Sequence, residues 1–368
     1  MVGGTGYISV CDPEPRPQKP LKKIVFLLTF TLFLCSLLYH KASHVPTISL
    51  PQLPNISVAE SPLIAADQEL VHTDTFEADD TRNLARILKE ASTEEKTVIV
   101  TMMNQAYAKQ NSTFDLFLEG FRVGQGTEKL LRHVMVVCFD KKAYSRCVEV
   151  FPSRCYLLRT AGLDFSGEKR FMARDYLKMM WRRTEFLGSL LRLGYNFLFT
   201  DMDILWLRDP FPRLVSDADF QIACDYFNGN VSDARNYANG GFKFVKANRR
   251  TIEFYKYWYE SRLRFPGKNE QDVINKIKYD EYINKIGLKM KFIDPKDVAD
   301  FCQSDWDINK VCTMHGNCCI GMDNKLKDLR QVLEDWRDFM SNIGQKRGFR
   351  KPMNCWRSIG RKVQKRRG

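Results

Sequence analysis

From Arg82 onward the chain switches repeatedly between two hydrophobic periods. "TRNLARILKEAS" carries its apolar residues at helical spacing, and "KTVIVTMMN" is a β-branched run ending in polar residues. "STFDLFLEGFRVG" is helical again, and "LRHVMVVCFD" is a second apolar run closing on Asp140. Strand, helix, strand in this order predicts a parallel α/β sheet. In open sheets of that kind ligands bind beyond the carboxyl ends of the strands, where Thr101, Asn104 and Asp140 fall. "RFMARDYLKMMWRRTEFLGSLLRLG" then places Tyr176, Met180, Leu187 and Leu191 on one helical face, with Gly194 as its C′ cap. "YNFLFTDMD" follows as a strand too uniformly apolar to have a wet face.

The N-terminal part has a different pattern. Ile24 to Tyr39, "IVFLLTFTLFLCSLLY", is the only long uncharged apolar stretch. It falls slightly short of the ~20 residues that span an average bilayer and fits a thinner membrane of the secretory pathway. An uncleaved signal anchor is the expectation, since no clear A-x-A cleavage site follows it; a cleaved signal peptide is the competing reading. Arg16, Lys19, Lys22 and Lys23 precede the run and an acid-rich segment follows, which leaves the N-terminus in the cytosol and everything after Lys41 in the lumen. The sequons at Asn55, Asn111 and Asn230 agree with that side. Pro46, Pro51 and Pro54 in a stretch of little periodicity mark a stem. The chain therefore divides into a cytosolic tail (1–23), a membrane anchor (24–39), a stem (40–80), a catalytic domain (81–345) and a basic tail (346–368).

Composition changes this picture in two places. The net charge of +13 is concentrated, because ten Lys or Arg and no acid fall between Lys346 and Gly368. With the remainder near neutral, nucleic acid is the least favoured partner, and the tail is expected to be a solvated extension, with contact to acidic polymers or phosphates as the alternative. Of eleven cysteines, Cys11 and Cys35 fall outside the lumenal part, leaving nine where disulfides are expected and at least one without a partner.

The candidate chemistry starts from Asp-x-Asp, which occurs at Asp201 and Asp203, at Asp217 and Asp219, and at Asp305 and Asp307. Only the first pair follows a buried strand. A period of two aims both of its carboxylates one way and Met202 the other, so a divalent cation would relieve their repulsion. Hard carboxylate oxygens suit magnesium or manganese, while a pair that merely bonds turn amides is the bland reading. "YANGGFKFVKA" offers Asn239, Gly240 and Gly241 for close backbone approach to a ligand, or for a plain turn. In "FPGKNEQDVINKIK", Asn269 can cap a helix whose first turn holds Gln271 and Asp272, where acids also simply complement the helix dipole. "VCTMHGNCCIGMDNK" offers Cys312, His315, Cys318 and Cys319 as zinc ligands, a reading that adjacent cysteines and an oxidising lumen disfavour. A ligand role for His315 beside Asp203, with Lys325 on a phosphate, stands against a buried, satisfied histidine.

Together these blocks resemble the plant nucleotide-diphospho-sugar transferases of glycosyltransferase family 77. The resemblance runs over about residues 82–340 through "KTVIVTMMNQAYA", "LRHVMVVCFDKKAYSRC", "LLRLGYNFLFTDMDILWLRDPF", "NGGFKFVKANRRTIEFYKYW", "GKNEQDVIN" and "HGNCC" with the following lysine. It implies a GT-A fold, Rossmann-like with a mixed central sheet, in a type II Golgi membrane protein. It further implies that Asp203 binds a divalent metal, Mn or Mg, bridging the diphosphate of a donor, UDP-linked by expectation. Asp201 would reach the ribose or the metal's waters, and His315 would be the C-terminal metal ligand. Lys325 would contact diphosphate, and Thr101, Asn104 and Asp140 would line the nucleoside pocket beside Gly240. Asn239, Gln271 and Asp272 would hold sugar and acceptor during a retaining transfer, with Asp272 the base if the reaction inverted. The donors it suggests are arabinose, xylose or galactose, and the acceptor a cell-wall polysaccharide or glycoprotein. A catalytically silent scaffold or carbohydrate-binding subunit of a Golgi complex is the alternative, and a homodimer is compatible with either.

Overall fold

The computed structural model describes residues 78–342 and 348–360. The anticipated anchor and residues 40–77 of the anticipated stem lie outside them, as do the two ends of the basic tail, 346–347 and 361–368, while residues 78–80 already belong to a helix. Among the described residues no helix is long and apolar enough to cross a membrane.

In chain order the main elements are α1 (Ala78–Ala91), β1 (Thr97–Met103), α2 (Gln105–Ala108), α3 (Thr113–Val123), β2 (Val134–Cys138), α4 (Lys141–Val150) and β3 (Cys155–Leu157). They continue through α5 (Arg174–Arg192), β4 (Asn196–Thr200), β5 (Ile204–Trp206), β6 (Phe220–Tyr226), β7 (Tyr237–Val245), α6 (Arg249–Glu260) and α7 (Glu270–Ile277). After α8 (Glu281–Lys285) come β8 (Met290–Phe292), β9 (Val298–Asp300), β10 (Thr313–His315), α9 (Met322–Ser341) and α10 (Met353–Ser358). The periodicities hold closely at the early elements. Gly194 takes φ +81° behind α5, as a C′ glycine should, because a side chain would clash in that region.

The large sheet runs β3-β2-β1-β4-β7-β6-β8. β1 is parallel to β2 and β4, but β7 is antiparallel to both β4 and β6, so the sheet is mixed rather than wholly parallel. The reason is local. Residues 227–236 are too few for the helical crossover of a dozen or more residues that a parallel return needs, so β6 and β7 form a hairpin. Helices α1, α5, α6 and α7 cover one face, where Leu88, Leu187, Phe199 and Trp258 meet. Helices α3 and α4 cover the other around Phe117, Leu198 and Phe242. A smaller sheet, β5-β10-β9, packs under α9 through Leu205, Met314, Val332 and Trp336.

The cysteines follow the disulfide expectation, and the tail departs from that of a solvated extension. Cys318 and Cys319 are not zinc ligands, because they are oxidised to Cys302 and Cys355. A third bridge joins Cys147 to Cys155, and Cys138, Cys224 and Cys312 remain unpaired and buried. The described part of the basic stretch, 348–360, is not a solvated extension. Cys355 is fully buried, the Trp356 indole donates to Phe301 O at 2.7 Å, and Arg350 Nε meets Asp335 Oδ1 at 2.6 Å. Arg350 meets Glu334 and Asp335 on α9, while Lys351 and Arg357 stay exposed.

Candidate functional site

Strand β4 stops at Thr200, and the chain turns so that Ile204 N donates to Asp201 O at 3.2 Å. Asp201 and Asp203 do point to one place, with Met202 buried in the core behind them, but a turn arranges this and not the strand pleat. Antiparallel pairing of β10 with β5 sets His315 opposite Ile204 and so beside that turn. One ligand atom each from Asp201, Asp203 and His315 lie within 4.8 Å of one another. His315 Nε2 is 3.3 Å from Asp203 Oδ1 and 3.9 Å from Asp201 Oδ2. Lys325, in the first turn of α9, forms an ion pair with Asp203 Oδ2.

The backbone around this cluster is close-fitting. Asp201 N donates to Gly241 O at 2.7 Å, and Gly316 N donates to Asp203 O at 2.9 Å. Gly240 and Gly241 lie within β7 and need no positive φ. What Gly241 supplies is space, since a Cβ there would fall within 3 Å of His315, Asp201 and Asn239.

Burial disfavours charge throughout, and the partners decide who carries it. Burial raises the Asp201 pKa, an effect that Arg183 opposes without reversing. Burial also opposes ionisation of Asp203, but Lys325 and His315 overrule it and hold that carboxyl far below the usual range. Desolvation would lower the His315 pKa, yet Asp203 lifts it above the ordinary value. Two carboxylates and an imidazole on one point make a donor set that suits Mn²⁺ or Mg²⁺, and the lack of a side chain at Gly241 is what lets His315 and Asp201 come this close.

Beneath the cluster lies a buried ionic network that periodicity did not reveal. Arg183, in the middle of α5, donates Nη1 to Asp201 Oδ1 at 2.7 Å and Nη2 to Glu270 Oε1 at 2.5 Å. Lys243 lies 4.1 Å from the Phe199 ring centroid and donates to Gly240 O at 2.8 Å, and burial pushes its pKa down to about 7. Two arginines inside the apolar helix "KMMWRRTEF" were the available signal, because a buried charge requires a partner.

A second cluster centres on Asp225, the site-facing residue near the end of β6. Asn239 Nδ2, Gln271 Nε2 and Asn317 Nδ2 donate to its carboxylate at 2.8, 2.9 and 3.2 Å. The carbonyl ends of Asn239 and Gln271 accept from Gly241 N and Gly240 N. The structure thus brings together Asn239, Gly240 and Gln271 from the sequence reading, and adds Asp225 and Asn317. Asn269 caps α7 as expected by accepting from Asp272 N, while the Asp272 carboxylate lies 3.9 Å from Lys268 Nζ.

Of the three residues expected to line the nucleoside pocket, Asn104 and Asp140 serve the loops that follow β1 and β2, whereas Thr101 lies within β1 and is closed off from a ligand. Thr101 is fully buried. Asn104 caps α2 and donates to Phe165 O and Gly167 O at 3.0 and 2.7 Å. Asp140 caps α4 and accepts from Gln105 N at 2.7 Å, which ties the β1 and β2 loops together.

Residues 129–329 match the sequence profile of the nucleotide-diphospho-sugar transferases. The chain belongs to that family. An uncharacterized protein of Arabidopsis thaliana is 54% identical over 79% of this chain and 80% of its own length. A second uncharacterized protein of the same plant is 40% identical over 70% of this chain and 78% of its own length. A UDP-D-xylose:L-fucose alpha-1,3-D-xylosyltransferase of Arabidopsis thaliana is 29% identical over 28% of this chain and 27% of its own. Among solved structures, mouse xyloside xylosyltransferase 1 aligns with 60% of this chain and 98% of its own at 12% identity and a TM-score of 0.36, too loose a likeness to argue from. Family membership makes the chain a nucleotide-sugar glycosyltransferase by class, with a nucleotide-sugar donor and a glycan acceptor.

Proposed function

We propose that the chain is a metal-dependent glycosyltransferase of GT-A fold that transfers a pentose or galactose from a UDP-linked donor to a cell-wall polysaccharide or glycoprotein. The observation that carries this reading is the convergence of Asp201, Asp203 and His315 from two distant parts of the chain. Asp203 and His315 hold a divalent cation, Mn²⁺ or Mg²⁺, with Asp201 as the third, more exposed ligand. The cation supplies Lewis-acid stabilisation of charge on the departing diphosphate. Lys325 adds a positive charge beside the same oxygens, and Arg183 fixes the direction of Asp201.

Asn239 and Gln271, each anchored at both ends of its amide, line the sugar side and fix the Gly240–Gly241 backbone against it. Asp272 lies toward the acceptor. Asn104 and Asp140 frame the loops against which the nucleoside rests, and Thr101 packs behind them. Transfer proceeds with retention, a course that requires no strong general base near the acceptor. Matched relatives with UDP-D-xylose and UDP-galactose in their names support those two donors ahead of arabinose. The apolar run at 24–39 and the proline-bearing segment after it support a type II Golgi membrane protein with this domain in the lumen. The test is UDP release by the detergent-solubilised full chain from UDP-xylose, UDP-galactose and UDP-arabinose with Mn²⁺. Release abolished by Asp203→Ala is expected; no release from any donor, or release indifferent to that substitution, would refute the reading.

A further inference from the structure

Exposed tyrosine is rare in this fold, and it is not scattered. Among the described residues the exposed tyrosines are Tyr226, Tyr237 and Tyr279, at 61%, 42% and 57%. All three border one corner of the molecule. Tyr226 and Tyr237 are register partners where β6 and β7 leave the sheet. Tyr279 joins them from the end of α7, its hydroxyl donating to Ala234 O at 2.8 Å in the β6–β7 connection. The Lys278 ammonium lies 5.8 Å from the Tyr237 ring centroid and 5.2 Å from that of Tyr279, and donates to Asn236 O at 2.5 Å and Asn275 Oδ1 at 2.8 Å. Asn275 in turn holds both backbone polar groups of Ala238. The rings are therefore mounted on a stiff base while their outer surfaces stay wet.

The corner is continuous with the candidate site. Tyr226 follows Asp225, Tyr237 lies two residues before Asn239, and the Tyr237 hydroxyl faces the Asp272 carboxylate. Gln271, next to Asp272, donates to Asp225 and accepts from Gly240 N. A path thus leads from the rings through Gln271 to the glycines beside the acidic cluster. Diphosphate is a poor fit for the corner, since Asp225 and Asp272 border it. A neutral, polyhydroxylated ring fits: its C–H face can lie on an aromatic face, and its hydroxyls can donate to the bordering acids.

We propose that Tyr226, Tyr237 and Tyr279 form the acceptor shelf, on which a neutral pyranose of the acceptor glycan stacks. This rests on the transferase reading above and names the side from which its second substrate enters. The test uses saturation-transfer NMR on the detergent-solubilised full chain with methyl β-galactopyranoside, methyl α-fucopyranoside and methyl β-xylopyranoside, without nucleotide or metal. The expected result is saturation of the ring C–H protons of at least one glycoside. It should persist in Tyr237→Phe, weaken in Tyr226→Ala and in Tyr279→Phe/Tyr226→Ala, and fall about tenfold with all three tyrosines changed to Ala. Unchanged circular dichroism and melting separate loss of the shelf from loss of fold, and the smaller variants serve where the triple change does not fold. Absence of saturation for all three glycosides, its persistence in the folded triple variant, or a concentration-dependent dimer broken by Tyr226→Ala would overturn the proposal. UDP release by the same wild-type sample distinguishes the cases: release without glycoside binding defeats the shelf alone, whereas glycoside binding without release defeats the donor chemistry alone.

Discussion

Gly241 leaves no room for a side chain beside His315: a Cβ would fall 2.5 Å from His315 Cε1 and 2.8 Å from Asp201 Oδ2. Gly241→Ala is therefore expected to push two of the three candidate ligands apart. Mn²⁺ affinity, read by calorimetry, should drop at least about tenfold, a loss of about 1.4 kcal/mol. Gly240→Ala meets the end of the Glu270 side chain at 3.0 Å and should cost less. Equal effects from the two substitutions would contradict this account.

Arg183 bridges Asp201 and Glu270 in a buried setting. Replacing it with Met strands two carboxylates at once. Removing one partner of a buried ionic group costs about 3–5 kcal/mol, so chemical denaturation of Arg183→Met should show a loss of that order. Arg183→Met/Glu270→Gln should recover part of it, and strict additivity would argue against the pairing.

Lys243 has a pKa pushed down to about 7 by burial, against an ordinary value near 10.5. The folded state then holds its proton less tightly than the unfolded chain. The resulting cost is fully present below pH 7 and fades as pH rises through the window up to about 10. Lys243→Met removes this group. The stability of the wild type relative to that variant should rise by up to about 1.4 kcal/mol per pH unit across the window. A pH-independent difference in parallel urea titrations would refute the assignment.

Cys355 ties the C-terminal stretch to Cys319. Removing residues 361–368 should leave melting unchanged. Ending the chain before Gly348 should lower stability by more than the roughly 2–4 kcal/mol of the bridge, because the Trp356 and Arg350 contacts go with it. Equal melting of the two truncations would restore the solvated-tail expectation.

Helices α1, α3 and α5 and strands β1, β2 and β4 were legible because their hydrophobic periods are clean, whereas the three residues of β3 are too few to show a period; Asn269 and Gly194 announced themselves by residue type. The antiparallel β7 was harder, since strand direction depends on connection length and the glycines in "NGGF" resembled a turn. Asp201, Asp203 and His315 were assigned to one group only through the family resemblance, because their meeting depends on the β5–β10 register, which no local pattern encodes. Arg183, Glu270 and Asp225 were missed for a related reason. Their importance lies in partners far along the chain, and a period count treats a charge on a helix or at a strand end as solvated.

Lys325 reaches back across 122 residues to Asp203. A chain emerging from the ribosome completes the large sheet well before it supplies His315 or that lysine, and the cysteine that fastens their segment comes later still. A prematurely terminated product would present the paired aspartates on a nearly finished scaffold without the means to use them. Competence thus arrives last in biosynthesis, after the framework that displays it.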